Sequence, residues 1–221
     1  MRFYAGIALY LAGIQNRGLT VIIAFGLAVI LMLVPTAYAM DVSVASDRVG
    51  DGFIMNALTG EVVKYVARGD VDYVSFVDLV NVRIRLSEET MRVALQVLGE
   101  IPSGSAEDVY FGFGLVGGPS EDSFTGGLTP TEYPWFVVQV TYRVVPTPRW
   151  ESWMYVAMTP NDAILHFDIP FTIGNRQVAV SVPASLLPMT AFGWRGLTSF
   201  QNTTSGDFLT LTDLTDVNSL S

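Results

Sequence analysis

The clearest pattern along the chain is an alternation of apolar and polar positions between Val80 and Val97. Val80, Val82, Ile84 and Leu86 alternate with Asn81, Arg83 and Arg85; after Ser87-Glu88-Glu89-Thr90 the alternation resumes with Met91, Val93, Leu95 and Val97 against Arg92 and Gln96. A period of two sends successive side chains to opposite faces of an extended strand, so each run predicts a strand with one buried and one wet face. The four residues between the runs predict an antiparallel hairpin. A second hairpin is predicted from Leu165, Phe167 and Ile169, alternating with His166 and Asp168, through a turn at Gly174-Asn175 into Val178, Val180 and Val182. Further strands are predicted at 61–66, 108–116, 135–145 and 152–158, separated by segments rich in Gly, Pro, Ser and Thr.

After residue 40 no stretch sustains an apolar period of about 3.6 residues over roughly ten positions. Many short strands without helices between them predict an all-β fold: an antiparallel β-sandwich, immunoglobulin-like or jelly-roll-like, with a closed barrel as the alternative. With no low-complexity linker or internal repeat, residues 40–221 read as one domain. Residues 40–60 carry short apolar β-forming runs. They read either as a local edge strand or as an N-terminal arm that self-associates by pairing with a neighbour's open sheet edge.

Residues 1–39 break this pattern. Leu19–Leu33 carries no charge; Arg17 precedes it, and Pro35 and Ala37-Tyr38-Ala39 follow. A basic flank, an apolar stretch, a helix breaker and an A-x-A pattern predict an export signal cleaved after Ala39. Counted through Ala39, the same segment reaches the ~20 residues that an uncleaved anchor helix needs to span a bilayer. A third reading starts from Gln15-Asn16-Arg17-Gly18, which resembles the archaeal type IV prepilin signal. That resemblance implies a cut after Gly18 and an apolar helix retained for packing in a filament. With Arg17 on one flank and Asp41 and Asp47 on the other, residues 40–221 are expected outside the cytoplasm, secreted or at the cell surface. Residues 19–39 are then the only membrane-contacting segment.

Composition narrows the functions open to such a domain. Of 12 basic side chains, Arg2 and Arg17 lie in the first 39 residues, which hold no acid; the 10 that remain face 21 acidic ones. A chain this acidic is repelled by phosphate backbones, so nucleic acid is not an expected partner. The absence of cysteine excludes disulfides, thiolate metal sites and cysteine nucleophiles.

The stretch Gly69-Asp70-Val71-Asp72-Tyr73-Val74-Ser75-Phe76-Val77-Asp78-Leu79-Val80 resembles the opening of DOMON-like and family-nine carbohydrate-binding-module-like domains, where an acidic, glycine-containing lead-in precedes the first long hairpin. The likeness continues through Leu98-Gly99-Glu100-Ile101-Pro102 and Val180-Ser181-Val182-Pro183-Ala184-Ser185-Leu186-Leu187 to Trp194, Asp213 and Asp216. It implies a secreted β-sandwich that binds carbohydrate, haem or another surface ligand without catalysis.

Candidate chemistry is sparse. Gly112-Phe113-Gly114-Leu115-Val116-Gly117 spells G-x-G-x-x-G, but Gly118-Pro119 follows where a dinucleotide site needs a helix N-terminus, so a glycine-rich strand edge or bulge is expected. His166, the only histidine, shares a strand face with Asp168 and has no nucleophile motif beside it, so a surface pair is expected. Haem ligation would require Met55, Met91, Met154 or Met158 to meet His166 or Lys64. Calcium would require loop carboxylates: Asp70, Asp72 and Asp78 at one strand end, Asp207, Asp213 and Asp216 near the C-terminus. Neither set has a motif's spacing, so no cofactor, metal or catalytic site is expected. Arg68-Gly69-Asp70 is read as a chance tripeptide in a turn. Asn202-Thr203-Thr204 is the one glycosylation sequon, expected in an exposed loop.

The best ligand candidate is aromatic: Tyr133, Trp135, Trp150, Trp153 and Tyr155, with Glu132, Arg149 and Glu151 nearby. Flat apolar rings with polar edges stack on sugar faces, although a sandwich core also buries tryptophan. The expected function is a non-catalytic binder of an extracellular glycan or other cell-surface component. The alternative is a structural subunit of a filament, pilus or surface layer assembled by strand donation.

Overall fold

The computed structural model describes residues 41–56, 59, 61–102, 109–124, 130–143, 148–160, 165–202 and 209–220, so the readings placed on residues 1–39, Ala39 included, lie outside the described residues. In chain order the strands are β1 (Asp41–Ser46), β2 (Phe53–Asn56), β3 (Val62–Tyr65), β4 (Leu79–Leu86), β5 (Thr90–Val97), β6 (Val109–Gly118), β7 (Trp135–Arg143), β8 (Arg149–Ala157), β9 (Leu165–Asp168), β10 (Phe171–Ile173), β11 (Gln177–Pro183), β12 (Phe192–Asn202), β13 (Leu209–Leu214) and β14 (Asn218–Leu220). The only described helices are short 3₁₀ turns at Glu121–Phe124 and Ala184–Leu186. Among the described residues no helix is long and apolar enough to cross a membrane.

Among the described residues all strand pairing is antiparallel, as the alternation predicted. One sheet has five strands in the order β1-β4-β5-β11-β10; the other has nine, in the order β3-β2-β13-β12-β6-β7-β8-β9, with β14 beside β12. The alternating side chains of β4 and β5 supply one wall of the core: Val82, Ile84, Leu86, Met91, Val93, Leu95 and Val97 are buried, while Arg83, Arg85, Arg92 and Gln96 are exposed. Phe111, Phe113, Phe136, Val138, Met154 and Trp194 of the nine-stranded sheet complete the same cluster from the other side. The two sheets therefore pack face to face, the arrangement of a β-sandwich.

The β4–β5 hairpin forms in the predicted register, Leu86 opposite Met91, with Ser87 N–H donating to Thr90 O at 2.9 Å. The register shifts between Leu79 and Asn81, which takes Val80 out of the predicted buried series.

Two predicted elements are corrected. The second hairpin is not one pair of strands. The run Leu165–Ile169 stops at Pro170, which has no N–H to continue a ladder. β9 before it pairs with β8 in the nine-stranded sheet, and β10 after it pairs with β11 in the five-stranded sheet. The glycine-rich strand is β6, which lies inside its sheet between β12 and β7 rather than at an edge. Within residues 41–56, β1 is the edge strand of the five-stranded sheet, paired on one side with β4, and β2 sits between β13 and β3.

Polar pins cross between the layers. Leu79 N–H donates to Asp213 Oδ2 at 2.7 Å, and the Thr198 hydroxyl donates to Val77 O.

Candidate functional site

The predicted aromatic group divides between the two faces of the nine-stranded sheet. Register places Trp135 opposite Ala157, Val137 opposite Tyr155 and Gln139 opposite Trp153, so Trp135, Trp153 and Tyr155 share a face. Trp150 shares its face with Met154 and Val156, which belong to the core. It packs edge-on against Phe111 at 5.0 Å and Tyr142 at 5.3 Å and stacks on Phe113, which assigns it to the interior.

The outward group forms a strip. Tyr133 is 38% exposed and its ring centroid lies 6.3 Å from that of the half-buried Trp135. Tyr155, diagonal to Trp135 across the β7–β8 ladder, stacks on His166 at 5.0 Å with 21° between the planes. Trp153 is only 6% exposed because Arg143 lies over its ring, 4.9 Å from the centroid. Its indole N–H is buried without a hydrogen-bond acceptor among the described residues. The accessible rings are therefore Tyr133, Trp135, Tyr155 and His166; Trp153 is the floor beneath them. Arg149 pairs with Glu151 at 2.5 Å and Arg143 with the same carboxylate at 3.3 Å, so these charges close one end of the strip. His166 Nε2 lies 4.0 Å from Asp168 Oδ1, and both side chains are exposed, as a surface pair should be.

The second assembly is acidic, and sequence reading found half of it. Asp78 and Asp213 are brought together, but their neighbours are Asp47 and Asp51, from the turn between β1 and β2. The carboxylate oxygens of Asp47, Asp51 and Asp213 lie within 4.8 Å of one another. Asp70 and Asp72 are elsewhere: Asp70 accepts from Ala67 N–H at 2.9 Å and Asp72 pairs with Lys64 at 2.8 Å. Asp207 lies outside the described residues. The signal overlooked was the turn itself, Asp47-Arg48-Val49-Gly50-Asp51-Gly52, whose Gly50 has a positive φ of 82°.

Asp213 is 2% exposed and accepts N–H bonds from Leu79 and Leu214. Burial pushes its pKa up to about 8, against the pull of the Leu79 N–H and with the charges of Asp47, Asp51 and Asp78 adding. Burial likewise pushes Asp47 up to about 7 and raises Asp51. The Tyr73 hydroxyl donates to Asp78, and burial raises that phenol to about 12. Converging carboxylates are neutralised by protons or by a hard cation that takes oxygen ligands. Asp47, Asp51 and Asp213 are the side chains that could hold such a cation. Asp213 is too buried, and too committed to backbone N–H groups, to serve a substrate as acid or base.

The remaining candidates fall into structural places. Gly112–Gly117 lies along β6: a Cβ on Gly114 would stand 3.0 Å from Val138 O, and one on Gly117 would enter the Phe136 ring. Close approach accounts for Gly114 and Gly117. Met91 and Met154 are fully buried, Lys64 is paired with Asp72, and His166 faces away from the core, so these haem-ligand candidates do not meet. Gly69, in the turn holding Arg68-Gly69-Asp70, has a φ of 102°. Asn202 is the last residue of β12, its backbone paired with Val109, and the rest of the sequon lies outside the described residues.

No family model matches the chain, and comparison with curated proteins and with solved structures gives no match.

Proposed function

We propose that this chain is a secreted or cell-surface, non-catalytic domain of jelly-roll-like type that binds an extracellular glycan through the outward strip of Tyr133, Trp135, Tyr155 and His166. The observation that carries the reading is the position of these rings. They stand on the outer face of a sheet whose inner face already supplies the core, so packing does not require them. Rings held side by side on a sheet suit stacking on pyranose faces, and Gln139 and the Arg143–Glu151 pair border them with hydrogen-bonding groups. The resemblance to DOMON-like and family-nine carbohydrate-binding-module-like domains points the same way. So does the leader-like pattern of residues 1–39.

The test is a neutral and charged glycan panel probed with the exported protein. Trp135→Ala and Tyr155→Ala are expected to weaken the best hit about tenfold, a loss of ~1.4 kcal/mol, without a comparable fall in thermal stability. Binding to no member of the panel would sink the reading. Intact mass of the natural protein tests the export reading. A start at Met40 fits a free binder, retention of residue 1 a tethered one, and a start at Leu19 a filament subunit.

The filament alternative is favoured by one observation. Among the described residues β3 is a free edge of the nine-stranded sheet, all four of its residues are exposed, and Val63 and Tyr65 are 57% and 76% exposed. Such an edge is a template for strand addition. A strictly monomeric natural protein would dismiss this alternative.

A further inference from the structure

We propose that the outer face of the five-stranded sheet is a second ligand site, built for an anionic glycan whose carboxylate or sulfate groups are held by Arg83, Arg85 and Arg92. The proposal does not rest on the aromatic strip, which lies on the other sheet.

The face follows from the same alternation that builds the core. On β4 and β5 the positions between the buried residues are Arg83, Arg85 and Arg92, all exposed. Register sets Arg85 directly opposite Arg92, and Arg83 opposite Ala94. On the other side of β5, Ser181 faces Arg92 and Ala179 faces Ala94. Arg83 and Arg85 of β4 therefore form one flank, Arg92 of β5 closes one end, and the small Ala94 and Ala179 form a floor. The result is a concavity of about 410 Å³, within the usual size of a ligand site, with Gln177, Ser181 and Thr172 on the far flank.

The charge on this face runs against the rest of the domain. No carboxylate lines the concavity. Arg83, Arg85 and Arg92 have no ion pair with any described residue, and they stand together on one face, two of them directly opposite each other. Like charges directly opposite across a ladder destabilise a sheet. Solubility does not call for them either, in a chain that carries 21 acidic side chains. An anion lying between the guanidinium groups would turn that repulsion into charge-assisted, fork-shaped hydrogen bonds. Because screening confines surface fields to about 10 Å, the three local cations govern contact even on an acidic protein.

The lining selects the kind of anion. A flat alanine floor admits a sugar ring, and the amide and hydroxyl groups of Gln177, Ser181 and Thr172 suit its hydroxyls. Among the described residues no aromatic ring lines the concavity to stack a nucleobase.

The experiment is titration of the full chain with polygalacturonate, its methyl ester, dextran sulfate and polyglutamate at two salt concentrations. Binding to polygalacturonate, its loss on esterification and its weakening by salt are expected. The variant R83Q/R85Q/R92Q should bind at least tenfold more weakly, while Arg68→Gln, which removes an exposed cation outside both faces, leaves this binding unchanged. A preference for dextran sulfate would keep the site and assign sulfate as its anion. Equal binding of polyglutamate, or no binding to any anionic polymer, would overturn the proposal. The comparison of the acid with its ester needs no variant, so it decides the matter even if the triple variant misfolds.

Discussion

Asp213 shows how a single residue can tie the fold to pH. Its carboxyl joins the layers by accepting Leu79 N–H across them, yet it sits with Asp47 and Asp51 where ionisation is costly. With folded pKa values of about 8 for Asp213 and about 7 for Asp47, against 3.8 as the ordinary value, the folded state holds protons that the unfolded chain releases. This contribution to stability is complete below about pH 4 and is lost as pH rises through 7 and 8. One such proton changes stability by at most ~1.4 kcal/mol per pH unit, or about 3–5 °C in melting temperature. Melting in chelator-containing buffer should therefore fall from pH 5 to pH 8. Asp47→Asn keeps an acceptor for Arg48 N–H while removing one charge. It should match the parent near pH 4 and melt higher at pH 8; a flat profile in the parent protein would refute the account. Sequence made Asp78 and Asp213 visible as acids but could not pair them with a turn more than 150 residues from Asp213.

Strands were legible where one face is wet and opaque where both faces are covered. β4, β5, β7 and β8 announced themselves by alternation or by β-branched and aromatic content. β12, the longest strand, did not, because Gly193, Gly196, Thr198 and Ser199 blur its pattern. Its inward glycine is explained only by Val82 of the opposite layer, which a Cβ on Gly196 would strike. β9 and β10 look like one strand in the sequence because their alternation continues through the sheet change at Pro170. The aromatic strip was half legible for the same reason: residue type located it, but only strand parity separates the inward Trp150 from the outward Tyr155. Glycines on β6 allow a test of this packing. Gly117→Ala drives a methyl group into the Phe136 ring and should cost about 1–3 kcal/mol in denaturant unfolding. Gly112→Ala meets only the ends of the Gln139 and Ser199 side chains, at 3.1 and 3.2 Å, which can turn aside. It should cost clearly less; equal losses would mean that the glycines serve backbone conformation rather than close approach.

At the scale of the molecule, the fold presents two outward sheet faces of different chemistry, aromatic on one layer and cationic on the other, with the acidic cluster among the segments that link them. Both faces depend on the layers staying in register, and the ends of the described chain help to hold them. Ser43 on β1 donates to Ser219 O of β14 at 2.8 Å and accepts the Trp194 indole N–H at 3.1 Å. Leu220, beside them, is 3% exposed and packs in the common core. A core without disulfides has no covalent substitute for such contacts, so Leu220→Ala should cost about 2–4 kcal/mol and lower the melting temperature by at least ~4 °C. Because β14 pairs with β12 through Trp194 and Asn218, the same substitution should loosen the site of a fully buried indole. Trp194 emission should shift to the red before global unfolding. Ser43→Ala leaves the apolar packing intact and should cost only ~1 kcal/mol. If Leu220→Ala behaves like a surface change, within about 0.5 kcal/mol, then the closing strand is not part of the cooperative core and β1 must be held by β4 alone.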